Sequence, residues 1–209
     1  MIASRHPDPS HGASKMTSSS RDAKPSASLA GPALASRTIL RAVLLALAGS
    51  VLLTLSAKLK VPFHPVPMTM QTMVVLVLGV AYGSRLGAAT VALYLLQGAV
   101  GLPVFADTPE RGIGLAYMAG PTGGYLAGFL VAAWFAGAAG GGGGLARLAA
   151  AMLGGHAIIF AFGLAWLAAA IGPEKAWLLG AAPFLLATLL KSALGVALLA
   201  GLRAWAPRR

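Results

Sequence analysis

The sequence predicts an all-α integral membrane protein, a bundle of six transmembrane helices with outward-facing capping loops. Hydrophobic residues make up 57% of the 209 residues and charged residues only 10%, and the mean hydropathy is +0.78, which is outside the range of soluble domains. Apolar runs separated by Pro/Gly-rich or charged breaks cover most of the chain. The net charge of +11 is therefore interpreted as membrane topology, with no nucleic-acid partner expected.

The predicted elements follow in order along the chain. Residues 1–36 are rich in Ser, Ala, Pro and basic side chains and show no apolar periodicity, which predicts a disordered basic cytoplasmic tail. The remaining residues, 37–209, form the predicted six-helix membrane domain. Its helices are expected at about 38–57, 69–82, 86–98, 121–138, 145–171 and 177–204.

The second and third predicted helices are too short to cross a membrane unaided. About 14 residues at about 1.5 Å each reach about 21 Å, less than the roughly 30 Å of hydrocarbon. We therefore expect each helix either to fail to span alone or to borrow length from a flank. The flanks are the stretch 61–71 before the second helix and 99–120 after the third.

The flank 61–71 cannot be ordinary helix, because Pro62, Pro65 and Pro67 each lack the N–H that a helix uses. Near membrane depth, irregular backbone is tolerated only where protein buries it or where it lines a cavity. This stretch is therefore the first candidate for a binding site.

The distribution of basic residues predicts the orientation. With the N-terminus inside, eleven Lys and Arg residues lie on the cytoplasmic side and four lie outside, as the positive-inside rule requires. Arg85 and Arg147, in short loops, support this orientation independently of the tail. Both termini are then cytoplasmic, and the two proline-containing loops face outward.

Lys191 is the one lysine or arginine that lies deep inside a predicted span, about midway along the sixth helix. Burying its ammonium costs about 3 kcal/mol on insertion scales, and a lysine there cannot comfortably reach an interface. It is either a structural lysine bonded to carbonyl groups or, as we favour, a ligand contact in a polar cavity.

Several chemistries are not expected. The predicted spans contain no Asp or Glu and no Ser/Lys dyad of usable spacing, and the four histidines show no ligand spacing. An intramembrane enzyme, a metal site and a resident cofactor are therefore not predicted. The chain also lacks a phosphate-binding loop, so a transporter with this sequence would depend on a separate ATPase or work without a motor.

Arg111 and the pair Ala42 and Ala46 each have two interpretations. Arg111 lies in an outward loop, where it either clamps a carboxylate or remains a solvated charge. The alanines stand four residues apart in the first helix, which favours either packing within the bundle or docking of a partner helix. At 121–125, a proline, two glycines and a tyrosine open the fourth helix, and the glycines let backbone or ligand come near.

Taken together, these segments resemble the BioY family of biotin transporters, the substrate-binding S components of energy-coupling factor (ECF) systems. The likeness runs in order from about residue 38 to 204. Its motifs are V-P-F-H-P-V-P-M-T-M-Q at 61–71, A-Y-G-S-R-L-G at 81–87, Y-L-L-Q-G-A-V-G-L-P-V-F-A at 94–106, G-P-T-G-G-Y-L-A-G-F at 120–129 and P-F-L-L-A-T-L-L-K at 183–191.

The resemblance implies a six-helix protein of the bacterial cytoplasmic (inner) membrane that binds biotin near the outer face. It also implies membrane lipid, a transmembrane coupling subunit and the ATPase subunits of an ECF module as partners. The implied substrate-binding residues are Gln71, Tyr94, Arg111, Tyr117, Thr122, Tyr125, Thr188 and Lys191. The implied capping-loop residues are Pro62, Phe63, Pro65, Pro67 and Phe105, and the implied partner-docking residues are Ala42 and Ala46.

One position departs from the family pattern. An acidic residue commonly stands three positions before the lysine, and here that position is Thr188, a weaker acceptor. Either affinity is reduced, another acceptor such as Gln71 compensates, or the substrate is a biotin relative. Stand-alone facilitated uptake without an ATPase remains the alternative mode of action.

Overall fold

The computed structural model describes residues 31–61, 64–142 and 144–205. These residues form a helical bundle with one very short hairpin. The α-helices are α1 (Gly31–Lys58), α2 (Gln71–Tyr82), α3 (Ser84–Ala99), α4 (Gly114–Met118), α5 (Gly123–Gly140), α6 (Leu145–Ile171), α7 (Pro173–Gly180) and α8 (Leu185–Trp205). The hairpin pairs β1 (Lys60–Val61) with β2 (Met68–Thr69) in antiparallel register, with Lys60 opposite Thr69.

The predicted all-helical class is confirmed. Four helical stretches of the described chain are long and apolar enough to cross a membrane: Ser36–Lys58, Gly123–Gly140, Leu145–Ile171 and Pro173–Trp205. The two segments predicted to be short are helices of 12 and 16 residues, α2 and α3. The count of six crossings stays a prediction.

The first helix begins earlier than its apolar run. We expected it from about residue 38, and α1 begins at Gly31. The rest of the predicted tail, residues 1–30, lies outside the described residues. The tail therefore stays a prediction.

The sixth predicted segment is divided, which the sequence analysis did not anticipate. The chain leaves α7 at Gly180, passes through a 3-10 turn at Ala182–Phe184 and enters α8 at Leu185. Pro183 in this turn has no N–H to continue a helical ladder. The Tyr125 hydroxyl donates to the carbonyl of Gly180 at 2.9 Å. Lys191 consequently lies roughly 9 Å along α8 from its first residue, and not midway along an unbroken helix.

Small residues let α5 pack closely against its neighbours. A Cβ at Gly79 of α2 would lie 2.4 Å from the carbonyl oxygen of Ala133, and one at Gly128 would lie 3.1 Å from the Cα of Ile159 in α6. Close backbone approach through glycine is common between membrane helices. The tight contacts of α5 with α2 and α6 hold the walls of the cavity described below.

The outer surfaces of α1 and α8 are apolar. Large exposed side chains include Ile39 and Leu47 on α1 and Leu186 and Leu190 on α8. A soluble protein would bury such contiguous surface. These faces suit contact with lipid.

Candidate substrate-binding site

A cavity opens at the end of the bundle where the hairpin, the start of α2 and the break between α7 and α8 meet. Its open volume, with the solvent space at the mouth included, is about 660 Å³. Its polar lining residues are Thr69, Gln71, Thr72, Tyr117, Thr122, Tyr125, His156, Thr188 and Lys191. Its apolar lining includes Val66, Met68, Leu126, Phe129, Ile159, Phe160 and Phe184.

Within the described part of the chain, Lys191 brings the only charged side chain into this lining. The residue is 9% exposed, and its Nζ donates to the carbonyl oxygen of Thr69 at 2.7 Å. An ammonium has three donors, and none of the described lining residues is acidic. The contact with Thr69 joins α8 to the hairpin and leaves donor capacity for a ligand with an acceptor group.

Gln71 supplies a second donor of the cavity, and this donor has no partner among the described residues. It is the first residue of α2 and is 4% exposed. Within the described residues, its buried Nε2 has no hydrogen-bond partner. A buried amide left unpaired is costly, so an acceptor on a bound ligand would relieve the cost. The structure thus supports the expectation that Gln71 faces inward.

An aromatic stack supports one wall of the cavity. The ring of Tyr117 stacks on Phe105 with centroids 5.0 Å apart, and Phe105 meets Tyr94 edge-on at 5.4 Å. Tyr94 is fully buried, and its hydroxyl donates to the carbonyl of Val104 at 3.1 Å. Of these three rings only Tyr117 lines the cavity, so Tyr94 and Phe105 hold it from behind. Burial raises the pKa of the Tyr117 hydroxyl, and a hydrogen bond with Thr122 partly opposes this.

Tyr125 and Thr188 both line the cavity. Because the Tyr125 hydroxyl donates to Gly180, that proton is already used, and the tyrosine offers a ligand its ring and an acceptor oxygen. Thr188 stands three residues before Lys191 and so shares its face of α8. The hydroxyl therefore lies on the same wall as the buried ammonium.

A network of charges joins the two loops that border the cavity. Lys60 pairs with Asp107, and the Nε of Arg111 lies 3.6 Å from the same carboxylate. The Nζ of Lys58, at the end of α1, donates to the carbonyls of Phe105 at 2.9 Å and Thr108 at 3.1 Å. The hairpin side of the cavity is thereby tied to the loop between α3 and α4.

The comparisons with known proteins bear on what this cavity is for. The model of the BioY family matches residues 23–208. The chain belongs to the BioY family. The resemblance noted in the sequence motifs is confirmed, and the family together with the apolar helices makes the chain a multi-pass membrane protein.

Individual BioY relatives agree with this assignment. The chain is 35% identical over 145 residues to a probable biotin transporter BioY of Pyrococcus horikoshii, covering 69% of this chain and 85% of that protein. It is 38% identical over 120 residues to the biotin transporter BioY of Rhizobium etli, covering 53% and 63% of the two chains. The crystal structure of an S-component for biotin from an ECF-type ABC transporter has a similar fold, with a TM-score of 0.69 and 22% identity over 80% of this chain and 93% of that one.

Arg111 of this BioY-family chain does not line the cavity. Its Nη1 donates to the carbonyl of Pro65 at 2.8 Å, and its Nη2 lies 3.0 Å from Nδ1 of His64. The guanidinium thus bridges the two loops at the cavity's edge. Its role as a carboxylate clamp stays a prediction.

The capping-loop residues divide into four groups. Pro67 is buried and lines the cavity, whereas Pro65 contributes the carbonyl that Arg111 binds. Phe105 acts through Tyr117, as described above. Pro62 and Phe63 lie outside the described residues.

Ala42 and Ala46 are partly buried. They continue, at helical spacing, the stripe of α1 that holds the buried Ser50 and Leu53. This placement favours packing within the bundle for at least part of each residue. Partner docking by this pair stays a prediction.

The sequence analysis missed His156 and Thr72 as lining residues. His156 lies within α6 and is 2% exposed, and its Nε2 lies 3.2 Å from the Thr72 hydroxyl at the start of α2. A signal was available, because an ionisable residue deep in a membrane segment usually has a function. The histidines were judged only by metal-ligand spacing, which hid this one.

Proposed function

We propose that this chain is a substrate-binding membrane subunit that binds biotin from the outer side and mediates its uptake. The observation that carries the proposal is the cavity itself, in which the ammonium of Lys191 and the unpaired Nε2 of Gln71 face an otherwise neutral lining in a BioY-family chain. The chain binds and releases its substrate unchanged under this proposal, and it is not an enzyme.

The chemistry of biotin complements that of the cavity. Its cyclic urea head carries a carbonyl that accepts hydrogen bonds from Lys191 and Gln71. Its thioether ring and aliphatic chain suit the aromatic wall at Tyr117 and Phe129. Its carboxylate would lie at the mouth, within reach of Arg111 in the loop network. Thr122, Tyr125 and Thr188 complete the proposed contacts.

The proposed topology has six crossings, both termini in the cytoplasm and the cavity facing outward in a bacterial cytoplasmic membrane. The loops 59–70 and 100–122 then cap the site. Since the chain contains no cysteine, single cysteines can report the side of each loop. An impermeant thiol reagent should label Glu110→Cys in intact cells and label Gly144→Cys only after the membrane is opened. The reverse pattern would overturn the orientation.

Energy for uptake is proposed to come from a partner complex of a transmembrane coupling subunit and ATPase subunits. The chain lacks a phosphate-binding loop of its own. Uptake of labelled biotin by cells that express this chain with and without an ATPase partner module separates this proposal from stand-alone facilitated uptake. If both strains accumulate biotin to the same internal concentration, above the external one, the need for a motor would be contradicted.

Ligand-induced thermal stabilisation of the purified protein tests the substrate. Biotin at 100 times its dissociation constant should add about 2.7 kcal/mol to the free energy of unfolding. Dethiobiotin, which keeps the cyclic urea but lacks the sulfur ring, and riboflavin, which has a different shape, are the comparison ligands. Stabilisation by dethiobiotin in preference to biotin would identify a biotin relative as substrate. No shift with biotin in folded protein would refute the assignment.

A further inference from the structure

The cavity supplies donors for a cyclic urea, and it must also supply acceptors. A cyclic urea has one carbonyl and two N–H groups, and each N–H loses affinity if binding leaves it unpaired. Among the residues that the structure describes, no carboxylate lines the cavity to accept them, and the carbonyl of Thr69 already accepts from Lys191. The acceptor for the urea is therefore to be sought among the neutral lining groups. This step rests on the function proposed above.

The hydrogen bonds around His156 fix the direction of one hydroxyl. Its Nδ1 lies 2.9 Å from the carbonyl oxygen of Met152, and a carbonyl can only accept, so Nδ1 carries the proton. Ser192 Oγ, 3.1 Å from Nδ1, is a second acceptor for that proton. A neutral imidazole protonated on Nδ1 has an unprotonated Nε2, which can only accept.

The neutral form of His156 is the one that fits its surroundings. The residue is 2% exposed, and a second positive charge beside Lys191 would be buried with no carboxylate among the described lining residues. With Nε2 accepting, Thr72 Oγ1 at 3.2 Å must donate to it. The only proton of that hydroxyl is then directed at the histidine and away from the ligand space, and the two lone pairs of the oxygen remain as acceptors in the cavity lining.

We propose that Thr72 accepts a hydrogen bond from a urea N–H of the ligand, and that His156 is the positioning residue that holds the hydroxyl in its accepting orientation. The pair supplies a neutral acceptor in a chain whose position 188 holds a threonine and not an acidic side chain. Thr72 and Thr188 both line the cavity, but Thr72 is the one whose hydroxyl direction is set by a histidine with a defined tautomer. The site therefore selects ligands that present an N–H to Thr72.

This inference is tested by measuring how the purified full chain binds biotin and two derivatives that carry a methyl group on one or the other urea nitrogen. The two derivatives are N-methyl isomers of each other. Thr72→Val, which keeps the shape and removes the hydroxyl, should weaken biotin binding about tenfold, equivalent to about 1.4 kcal/mol. The same variant should leave unchanged the affinity for the isomer whose methyl group blocks the N–H facing Thr72. Thr72→Ser should bind biotin as the wild type does, and Thr72→Ala replaces the valine variant if that variant does not fold.

Two further variants separate the proposed contact from a general effect on the fold. Thr90→Val removes another buried hydroxyl, one that donates to the carbonyl of Leu86 away from the cavity, and should leave biotin affinity unchanged. His156→Phe should weaken biotin binding in the wild-type background and cause no further loss in the Thr72→Val background, because it acts through Thr72.

The inference is overturned if Thr72→Val binds biotin as tightly as the wild type. It is also overturned if the variant loses the same factor for biotin and for both N-methyl isomers, which would show an effect of shape alone. Failure of the wild type itself to bind biotin would refute the proposed function and the inference with it. These results are distinguishable because the first two require a wild type that binds.

Discussion

Replacing Lys191 with methionine should strongly weaken biotin binding while leaving the unliganded protein folded. Two opposing terms act on the stability of the empty protein. Burying the ammonium costs about 2.5–3.5 kcal/mol on insertion scales, and its charge-assisted hydrogen bond to the carbonyl of Thr69, at 2.7 Å, contributes about 1.5–3 kcal/mol. Because these terms nearly cancel, we expect the midpoint of thermal unfolding to change little.

The ligand-bound state loses the full contact. Loss of one charge-assisted hydrogen bond, about 1.5–3 kcal/mol, raises the dissociation constant about 10- to 150-fold. For a 100-fold increase, biotin at 100 times the wild-type dissociation constant stabilises the wild type by about 2.7 kcal/mol and the variant by about 0.4 kcal/mol. The corresponding shifts in unfolding midpoint are about 5–10 °C for the wild type and about 1–2 °C for the variant.

The assay is thermal unfolding of detergent-purified protein across a titration of biotin. Lys175→Met is the matched control, since Lys175 is an exposed lysine on α7 and its replacement should leave the biotin shift intact. A Lys191→Met protein with the wild-type biotin shift would refute the ligand role of the ammonium. A variant that unfolds without biotin at a much lower temperature would show a structural role instead.

The remaining predictions concern the second donor, the helix packing and the loop network. Gln71→Met removes an unpaired buried amide, so the empty protein should be as stable as the wild type or more stable by up to about 2 kcal/mol. Calorimetry should show weaker biotin binding by the same variant. A lower stability of the empty variant would contradict the unpaired donor. Gly79→Ala should lower the unfolding midpoint, because its Cβ would lie 2.4 Å from a backbone oxygen of α5. Gly201→Ala is the control: its Cβ would lie in open space, so the change should be neutral or stabilising by about 0.5–1 kcal/mol. Asp107→Asn removes the carboxylate shared by the two loops and should speed biotin dissociation up to about fivefold, as expected for an exposed ion pair. Glu110→Gln is the control, because it removes a carboxylate that has no ion pair within the described part of the chain, and it should leave that rate unchanged. Equal dissociation rates for the two variants would show that the ion pairs do not slow the release of biotin.

The extent of the helices was largely predictable because hydropathy is a local property. The run expected at 145–171 has the same bounds as α6, and the proline stretch before α2 does leave the helix and border the cavity, as expected from its missing N–H groups. The break between α7 and α8 was missed, although Pro183 lies in it. A single proline in an apolar run is compatible with a kinked helix, and the bond from Tyr125 to Gly180 that accompanies the break comes from a distant helix.

The candidate site was predictable in part. Gln71, Tyr117, Thr122, Tyr125, Thr188 and Lys191 do converge on one cavity. Tyr94 and Arg111 belong to motifs beside it but act behind the wall and at the edge. Which face of α3 or of the loop points inward depends on how Phe105 fills the space beside Gly98, a contact that no local pattern specifies.

By itself, the sequence determined the class of protein, the positions of most helices, the family and the choice of Lys191 as a candidate ligand contact, because apolar runs, prolines, motifs and a buried charge can each be recognised within a short stretch. Only the tertiary structure decided that Lys191 bonds to the carbonyl of Thr69, and that His156 meets Thr72 across 84 residues of chain. The physical reason is that these contacts depend on the rotation of each helix about its own axis. Close packing at glycines such as Gly79 sets that rotation, and such packing exists only once all the helices are assembled.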